Sequence, residues 1–472
     1  MSGNGKTKEK RPLKIGMISL GCAKNRVDSE IMLGLISDAG YEITGDAEDA
    51  DIVVINTCGF IESSKQEGID TILEIAGLKK EGKLSGIVAA GCLAQRYGKE
   101  IVEFIPEVDA VVGAFGYSNV CDAIKSVAER KKVVLTDRPE NRAAAEKSKT
   151  ICYFDDREIT DLGYLDGKRI LTTPACYAYL KIAEGCSNRC TYCAIPAIRG
   201  VYRSRPVEKL IEEAKDLVTR GVKEIVVVAQ DTTMYGVDIG GKSLLPELLS
   251  GLDAIEGLGI IRILYLYPDE ITDEILDAIC GAKKVATYFD IPLQHISDGV
   301  LKRMNRRGDG RLYRSVIKKI RERIPGCVIR TSLITGFPGE TEEEHRELAE
   351  FLKEAKLERV GVFKYSREEG TPAARMKNQV HPSTKKRRYK ELMAVQQEVS
   401  YSFNKSRVGK VYPVIVESVS EDGLFYVGRS YMEAPEDDGS IFFAAKDEHK
   451  VGDTVNVRIL VAEEYDVTGE EA

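Results

Sequence analysis

The feature that most limits the fold is a repeated alternation of short, continuously apolar segments with amphipathic segments of helical period. From Lys14 to about Val134 the strands are predicted at Lys14–Ser19, Asp51–Asn56 and Gly86–Ala90, and the helices at Ser29–Ala39, Ser64–Leu78 and Ala94–Phe104. Strands that are apolar throughout are typical of parallel sheets covered by helices on both faces. The sequence therefore predicts an α/β protein that begins with a small doubly wound parallel-sheet domain.

A second strand–helix series follows after a stretch without a clear pattern. Its strands are predicted at Tyr179–Glu184, Glu224–Gln230, Ile260–Tyr267, Ala286–Pro292, Val328–Thr335 and Arg359–Tyr365. Amphipathic stretches such as Val207–Arg220 separate them. Six successive strand–helix repeats predict a partial (β/α)6 barrel, whose active site lies at the C-terminal mouth of the strands.

The last part of the chain changes to a period of two. Short strands are predicted at Val411–Ser418, Leu424–Arg429, Ser440–Ala445 and Thr454–Val461, joined by turns that contain Gly and Asp. This pattern predicts a small antiparallel β-barrel of the OB-like kind. The resulting division is a disordered tail at 1–13, an N-terminal domain at 14–135, a linker at 136–171, the partial barrel at 172–405 and the terminal barrel at 406–472.

Composition narrows the class of protein. A chain of 472 residues exceeds what one hydrophobic core usually serves, so several domains are expected. No apolar run reaches the length needed to span a bilayer, and the polar, basic start of the chain does not resemble a secretion signal. Eleven cysteines without such a signal indicate a reducing compartment, where thiols serve metals or redox chemistry. We expect a cytoplasmic protein with no membrane partner.

Three cysteines, Cys186, Cys190 and Cys193, lie within eight residues in a C-x3-C-x2-C pattern, with Tyr192 just before the last. Iron–sulfur clusters are normally held by four thiolates, so three leave one iron open to a small molecule. The alternative is a zinc knuckle, but structural zinc also takes four ligands, and the nearest further cysteine is Cys176, ten residues upstream. The pattern looks like that of the radical S-adenosylmethionine enzymes.

Three other cysteines follow the three strands of the first series. Cys22, Cys58 and Cys92 each come directly after a strand and next to a glycine. The carboxyl ends of parallel strands share one edge of a sheet, where ligands bind, so these thiols are expected to converge. One such cysteine is commonly core filler. Three in the same topological position favour a second metal cluster.

Polar residues follow several strands of the second series. They are Gln230 and Asp231, then Gln294 and His295, then the turn from Thr335 and Gly336 to Glu340. At the mouth of a partial barrel these are candidates for holding a nucleoside. His295 could equally be a satisfied structural histidine, and the glycines and proline of the turn alone indicate only a turn.

Charge is distributed unevenly along the chain. Residues 406–472 carry six Lys or Arg and fifteen Asp or Glu, a net charge of -9, whereas the whole chain has -7. A nucleic-acid barrel is expected to be basic, so this one is predicted to attract a basic protein or to remain solvated. The basic pairs Lys302–Arg303 and Arg306–Arg307 and the run Lys385–Arg388 are candidate phosphate contacts or solvated helix faces.

Taken together, the two cysteine trios and the terminal barrel resemble the methylthiotransferase family of radical S-adenosylmethionine enzymes, whose last domain is called TRAM. The resemblance covers nearly the whole chain. Within that family, several segments resemble the branch that modifies an aspartate of small-subunit ribosomal protein twelve. They are Gly21–Glu30, Glu184–Cys190, Pro292–His295 and Gly428–Tyr431, the last followed by Ala434–Glu436. The branch that modifies tRNA tends to have Gln-Met where this chain has Ala23–Lys24.

The resemblance implies a chemistry. Cys186, Cys190 and Cys193 would hold a 4Fe-4S cluster that binds S-adenosylmethionine, with Tyr192, Gln230, Asp231, Thr335 and Gly336 around the cofactor. A second 4Fe-4S cluster would lie on Cys22, Cys58 and Cys92 and receive sulfur from a donor. The expected partners are ribosomal protein twelve, in the ribosome or its subunit, and a low-potential electron donor of flavodoxin or ferredoxin type. The alternatives are a tRNA adenosine methylthiotransferase and a non-catalytic iron–sulfur scaffold.

Overall fold

The computed structural model describes residues 11–129, 135–136, 150–154 and 162–472. These residues form two compact units. One unit contains the described residues up to Ile170 together with Ala197–Arg199, and the other contains Leu171–Pro196 and Gly200–Ala472. The predicted tail at 1–13 lies outside the described residues except for its last three positions.

The described part of the first unit is built on a seven-stranded, wholly parallel sheet. In spatial order its strands are Glu42–Thr44, Lys14–Ser19, Ile52–Thr57, Gly86–Gly91, Ala110–Gly113, Ile151–Phe154 and Leu135–Thr136. The helices are Ala23–Asp38, Glu62–Lys80, Cys92–Phe104 and Val120–Ala128. Along the strand Ile52–Thr57, alternate residues enter two different cores, Val53 and Ile55 in one and Ile52 and Val54 in the other. The predicted doubly wound sheet is confirmed.

The linker predicted at 136–171 is wrong for the segment Ile151–Phe154, which pairs in parallel with Ala110–Val112 inside the sheet. The surrounding residues 137–149 and 155–161 lie outside the described residues. The strand is only four residues long and follows a polar stretch, so it carries too little periodicity to be recognised. A short helical turn, Gly163–Asp166, then leads to Arg169, whose guanidinium forms a buried pair with Glu30.

In the second unit, the described residues form the six predicted strand–helix repeats. The strands are Tyr177–Lys181, Glu224–Val228, Ile260–Ile263, Tyr288–Asp290, Val328–Thr335 and Arg359–Lys364. They make two three-stranded parallel sheets. Backbone bonds from Ile261 N to Lys284 O and from Leu266 N to Asp290 O join the two sheets. The partial parallel barrel is therefore confirmed.

Helices cover the outside of this partial barrel. They are Val207–Thr219, Leu245–Asp253, Asp273–Gly281, Asp298–Arg303, Gly310–Arg323, Glu342–Ala355 and Pro382–Lys405. Their apolar faces and the strands share one large core. The chain also forms two short helices, Ile195–Arg199 and Val237–Gly240, which contribute no residue to that core. Among the residues described, no helix combines the length and apolar character that crossing a membrane requires.

The described residues of the C-terminal region close into a five-stranded barrel. Its strands are, in spatial order, Val411–Val419, Tyr426–Arg429, Ile441–Ala444, Val467–Glu471 and Thr454–Ala462. The closing strand, Val467–Glu471, was not predicted, because its acidic sequence does not alternate clearly. It pairs in parallel with Ile441–Ala444 and antiparallel with Thr454–Ala462, and so removes both sheet edges.

The segment Arg429–Asp438 of this barrel docks against the amino ends of the partial-barrel strands. The contacts join Glu224 to Arg429 at 2.8 Å, Arg262 to Tyr431 O at 2.8 Å, Arg359 to Glu433 at 3.0 Å, Tyr177 to Glu436 at 3.0 Å, Arg330 to Asp437 at 2.9 Å and Tyr288 to Asp438 at 2.6 Å. Every one of the six strands contributes a side chain. The two barrels therefore form one compact unit, and the docked segment lies at the end opposite the predicted mouth.

Candidate iron–sulfur sites

The loop that carries Cys186, Cys190 and Cys193 begins shortly after the first strand of the partial barrel, directly after the two-residue strand Ala183–Glu184. Gly185 starts the loop with a φ of 75°, and a Cβ there would lie 2.1 Å from Val201 O, so only glycine fits. The amide of Cys186 then donates to Gly200 O at 3.1 Å. The strand end thus fixes the direction in which the first cysteine enters the loop.

Backbone and side-chain hydrogen bonds hold the rest of the loop. Thr191 donates from its amide to Met304 O at 2.9 Å and from its hydroxyl to Arg303 O at 2.8 Å. Asn305 donates to Arg189 O at 2.8 Å. A loop anchored at so many points positions its sulfur atoms before any ligand arrives, as a metal site requires.

The three thiols of this loop converge. Cys186 and Cys190 are buried and Cys193 is half-buried. Burial, together with the neighbouring Asp231 and Cys190, raises the pKa of Cys186 to about 11. Burial also raises the pKa of Cys193, as do Cys190 and Cys186. A bound cation is therefore what would hold the three sulfurs as thiolates, and three thiolates fit a cluster with one open iron.

Asp231 lies beside the cysteine loop, and its carboxylate supports the loop by accepting hydrogen bonds. One carboxylate oxygen accepts from Asn188 Nδ2 at 2.7 Å, and the other accepts from Thr233 Oγ1 at 2.5 Å. Because both oxygens already have donors, the carboxylate fixes the segment between Cys186 and Cys190. Gln230, predicted with it, is half-buried. A direct contact of either residue with S-adenosylmethionine stays a prediction.

Tyr192 turns its ring toward the strand ends. It packs edge-on against Phe337, with ring centroids 6.5 Å apart, and Phe337 packs in the same way against Tyr365 at 5.2 Å. Tyr267, from the third strand–helix repeat, lies with its hydroxyl 4.0 Å from Cys190 Sγ, and the Arg306 guanidinium covers its ring at 4.2 Å. Aromatic rings therefore wall the loop on the side of the mouth.

Thr335 and Gly336 begin a turn that Glu340 closes. The Glu340 carboxylate accepts from the amides of Gly336 and Phe337 and lies 3.9 Å from His295 Nε2. Burial opposes its ionisation, but His295 and Arg388 lower the pKa of Glu340 below its usual range. His295 is fully buried and accepts from Ser297 N at 3.0 Å, but its Nε2 has no hydrogen-bond partner among the described residues. The histidine is therefore not fully satisfied by the protein, and a role at the nucleoside stays a prediction.

The second trio lies at the carboxyl edge of the sheet in the first unit. Its strand order places Lys14–Ser19 and Ile52–Thr57 side by side, with the helices that follow them in different cores, so the chain reverses its winding between them. Ligands bind at such a switch point. Cys22 and Cys58 are the residues that leave these two strands, and Cys92 begins the helix after the next strand.

Glycines bring the three cysteine loops together. A Cβ on Gly21, whose φ is 96°, would lie 2.8 Å from Cys58 Cβ. A Cβ on Gly59 would lie 2.8 Å from the Cys92 backbone. These glycines thus allow the loops to approach one another.

Electrostatics also shows the convergence of this trio. Burial, together with the neighbouring Cys92 and Cys22, raises the pKa of Cys58 to about 11. Within the described ranges, no set of three or more Cys, His, Asp or Glu side chains is arranged to hold a single metal ion. In a cluster each thiolate binds a different iron, so the thiolates stand further apart than around one ion. The two trios remain predicted cluster ligands.

The sequence interpretation missed a set of buried polar residues around the second trio. Asn25 donates to Leu20 O at 2.6 Å, Asn56 donates to Ser29 Oγ at 2.8 Å, and Asp28 pairs with Arg199. Asn25, Asp28 and Ser29 lie on the helix Ala23–Asp38, whose polar side faces inward. The only sequence signal was their position directly after Cys22, inside the segment that resembles the methylthiotransferases.

Comparisons with known proteins agree with these sites. The chain matches the models for the Radical SAM superfamily over residues 180–352, Uncharacterized protein family UPF0004 over 14–113 and the TRAM domain over 408–471. In fold it is similar to the radical S-adenosylmethionine methyltransferase TsrM from Kitasatospora setae, with a TM-score of 0.52, 14% identity and coverage of 86% of this chain and 79% of that one. The protein is therefore a radical S-adenosylmethionine enzyme with a TRAM domain.

Curated relatives define the family more narrowly. The chain is 48% identical to the ribosomal protein uS12 methylthiotransferase RimO of Acetivibrio thermocellus, over 97% of this chain and 98% of that protein. It is 50% identical to the protein of the same name from Lachnoclostridium phytofermentans, over 97% and 99% of the two chains. The chain belongs to the RimO family of ribosomal protein uS12 methylthiotransferases.

Proposed function

We propose that this protein is a transferase that places a methylthio group on the β-carbon of an aspartate of ribosomal protein uS12. The observation that carries the proposal is the presence of two cysteine trios, each converging at the carboxyl edge of a parallel sheet and each one thiolate short of a complete cluster. Relatives that are 48% and 50% identical to this chain are named as methylthiotransferases of ribosomal protein uS12.

We assign the S-adenosylmethionine cluster to Cys186, Cys190 and Cys193 and a second 4Fe-4S cluster to Cys22, Cys58 and Cys92. When bound, these clusters and S-adenosylmethionine supply the radical chemistry and the methylated sulfur that side-chain acids and bases cannot provide at an unactivated carbon. A sulfur donor and an electron donor of flavodoxin or ferredoxin type complete the inputs.

The chain's own residues position these groups. Asn188 and Asp231 hold the middle of the cysteine loop, and Thr191 ties its end to the partial barrel. Tyr192, Phe337 and Tyr365 form an apolar wall at the strand ends, which excludes water from a site where a reactive carbon radical must not be quenched. The described contacts therefore pre-form the site for the cofactor.

The distribution of charged residues favours a protein substrate over tRNA. In the basic run Lys385–Arg388, Arg388 is buried and pairs with Glu342, Arg387 also pairs with Glu342, and Lys385 donates to Tyr365 O. Most of this run is thus bound within the chain, which weakens the case for a phosphate-binding surface. The acidic TRAM barrel fits a basic ribosomal protein better than RNA.

The acidity of that barrel is itself partly structural, which corrects the sequence interpretation. Glu417, Glu433, Glu436, Asp437 and Asp438 are bonded to arginines or tyrosines of the unit. The acids left exposed, including Glu421, Asp422, Asp447 and Glu448, are fewer than the sequence count suggested. We assign the attraction of uS12 to this smaller exposed set.

The test is anaerobic turnover of reconstituted protein with S-adenosylmethionine, a reductant and one of three substrates: free uS12, small ribosomal subunits or bare tRNA. Mass spectrometry of uS12 peptides and of tRNA nucleosides reports the gain of a methylthio group. We expect the gain on one uS12 aspartate, no gain in Cys186→Ala, and an unchanged gain in Cys280→Ala, which alters an exposed cysteine elsewhere. A methylthio group found on tRNA alone would replace the proposal with its alternative.

A further inference from the structure

An arginine contacts the sulfur of one predicted ligand of the second cluster. Arg199 ends the short helix Ile195–Arg199, groups with the first unit and is buried. Its Nε donates to Cys92 Sγ at 3.3 Å and its Nη2 donates to the same sulfur at 3.1 Å. Two donors of one planar guanidinium thus converge on one sulfur atom.

The surrounding residues fix this geometry. Arg199 Nη1 donates to Asp28 Oδ2 at 2.7 Å, and both side chains are almost completely inaccessible. Nη2 also lies 3.2 Å from Asn25 Oδ1, and the guanidinium stands 5.9 Å from the centre of the Tyr117 ring. The carboxylate neutralises the buried cation, and the amide and the ring limit its rotation, so the fork stays directed at Cys92.

Such a fork suits an anionic sulfur. Charge-assisted hydrogen bonds to an anion are stronger than those to a neutral group, and bidentate guanidinium donors are especially so. An iron-bound cysteine is a thiolate, whereas an unbound buried thiol gains little from a cationic donor. Hydrogen bonds to cluster sulfurs and the local charge are also among the factors that set reduction potential.

We propose that Arg199 is a positioning residue for the second cluster, whose guanidinium stabilises the Cys92 thiolate as a ligand and raises the reduction potential of that cluster. This inference rests on the proposed function for the existence of the second cluster. The couple takes up one electron from the reductant used in the titration, and no bond forms or breaks. The reduced cluster carries one more negative charge, so cationic donors stabilise it more than the oxidised form.

The arrangement makes two opposite predictions. Arg199→Gln removes the positive charge and the fork, so the reduced form loses stabilisation and the potential falls. Asp28→Asn keeps the shape of the side chain but removes the compensating negative charge, so the potential rises. General damage to the protein would not shift the potential in opposite directions in these two variants.

The experiment starts from a parent protein in which Cys186, Cys190 and Cys193 are all replaced by Ala, so that only the second cluster can bind. Iron content and a redox titration followed by electron paramagnetic resonance are measured for the parent, Arg199→Gln, Arg199→Lys, Asp28→Asn and the double variant Arg199→Gln/Asp28→Asn. The double variant removes both members of this ion pair. Arg169→Gln is the matched control. Arg169 also forms a buried ion pair, at 2.6 Å, and its partner Glu30 lies on the same helix as Asp28.

We expect Arg199→Gln to lower the equilibrium constant for reduction about tenfold, which corresponds to about 59 mV for one electron. The double variant is expected to lie between Arg199→Gln and the parent, because loss of the Asp28 charge offsets part of the loss of the guanidinium. Arg199→Lys also falls between Arg199→Gln and the parent, and Arg169→Gln leaves the potential unchanged. Loss of the cluster from both Arg199 variants, with retention in Arg169→Gln, also supports the proposal.

Unchanged potentials in all Arg199 variants overturn the inference, as does loss of the cluster from Arg169→Gln to the same extent as from the Arg199 variants. A shift in the same direction for Arg199→Gln and Asp28→Asn overturns it as well. If the parent itself binds no cluster, the second cluster of the proposed function fails, and that result is distinct from a failure at Arg199.

Discussion

Arg429 of the TRAM barrel donates from Nη2 to a carboxylate oxygen of Glu224 at 2.8 Å, and both side chains are buried. Glu224 also accepts from Arg262 Nε at 2.7 Å. Breaking a buried ion pair from one side leaves an uncompensated charge and costs about 3–5 kcal/mol. We expect Glu224→Gln to lower the free energy of unfolding of this unit by that amount, as measured by denaturant titration.

The control for this prediction is an exposed pair in the same unit. Arg314 and Glu354 lie 3.1 Å apart with both side chains largely in solvent. Exposed pairs contribute about 0–1 kcal/mol, so Glu354→Gln is expected to change the stability by less than about 1 kcal/mol. Equal effects of the two substitutions would contradict a buried, stabilising contact between the barrels.

The buried carboxyl of Glu433 is expected to make the free energy of unfolding of this unit depend on pH. Burial opposes ionisation of this carboxyl, but Arg407 at 2.6 Å and Arg359 at 3.0 Å lower its pKa from 4.5 to about 2. A lowered folded-state pKa contributes stability above the unfolded pKa, and this contribution is lost as the pH falls from about 4.5 towards about 2. The shift is equivalent to about 3 kcal/mol.

We therefore expect the free energy of unfolding to fall between pH 5 and pH 3, with the difference between the native chain and Glu433→Gln shrinking over the same interval. Denaturant titrations of the metal-free chain at the two pH values measure both quantities. Glu421→Gln, at an exposed carboxylate of the same barrel, is the control. A constant difference between the native chain and Glu433→Gln would rule out this carboxyl as the source.

The elements that could be predicted from the sequence are those whose burial requires a regular pattern of apolar residues. Continuous apolar runs identified the strand Ile52–Thr57, which is buried throughout, and the six strands of the partial barrel. The cysteine positions followed from the same strands, because parallel sheets bring their carboxyl ends to one edge. The prediction of the first-unit cysteine trio therefore needed only local patterns and one topological rule.

Buried charges could not be predicted in this way. Arg262, Arg429 and Arg199 are almost fully inaccessible, although arginine is ordinarily a surface residue. Their burial depends on acidic partners that are distant in sequence, such as Asp28 for Arg199, 171 positions away. The acidic segment of the TRAM barrel was interpreted as a surface for the same reason, because its arginine partners belong to the other barrel.

Gly185 allows a steric prediction about the first cysteine loop. Its φ of 75° and the 2.1 Å approach of its would-be Cβ to Val201 O leave no space for alanine. We expect Gly185→Ala to lose the cluster iron carried by Cys186, measured by iron analysis after anaerobic reconstitution. Gly221 has a φ of 101° with nothing within 4 Å of its would-be Cβ. Gly221→Ala is therefore expected to cost only about 1–2 kcal/mol of stability and to retain the iron.

The hydrogen bond from Asn188 to Asp231 indicates that Asp231 supports the loop of Cys186, Cys190 and Cys193. Asp231→Asn replaces an oxygen that accepts from Asn188 by an amide, which loosens the segment between Cys186 and Cys190. Substitutions behind metal ligands cost about 10–100-fold in metal affinity or activity. We expect a loss in that range in the rate of 5'-deoxyadenosine formation, assayed by chromatography.

Asp253→Asn is the control for this substitution, because Asp253 likewise accepts a hydrogen bond, from Lys284 N at 2.8 Å, but on the outer helices. It is expected to retain the full rate. An undiminished rate in Asp231→Asn would show that the cysteine loop is held without this carboxylate.

The two cysteine trios are expected to hold two clusters with separate roles. Fully reconstituted protein is expected to bind about eight irons, four for each trio. Replacing Cys22, Cys58 and Cys92 together by Ala is expected to leave about four irons and to preserve reductive cleavage of S-adenosylmethionine, because Cys186, Cys190 and Cys193 lie on a loop of the partial barrel, in the other unit. Cys186→Ala is expected to abolish that cleavage. Iron analysis and 5'-deoxyadenosine measured on the same samples check both outcomes, and a loss of cleavage on removing the first-unit trio would show that the trios do not act separately.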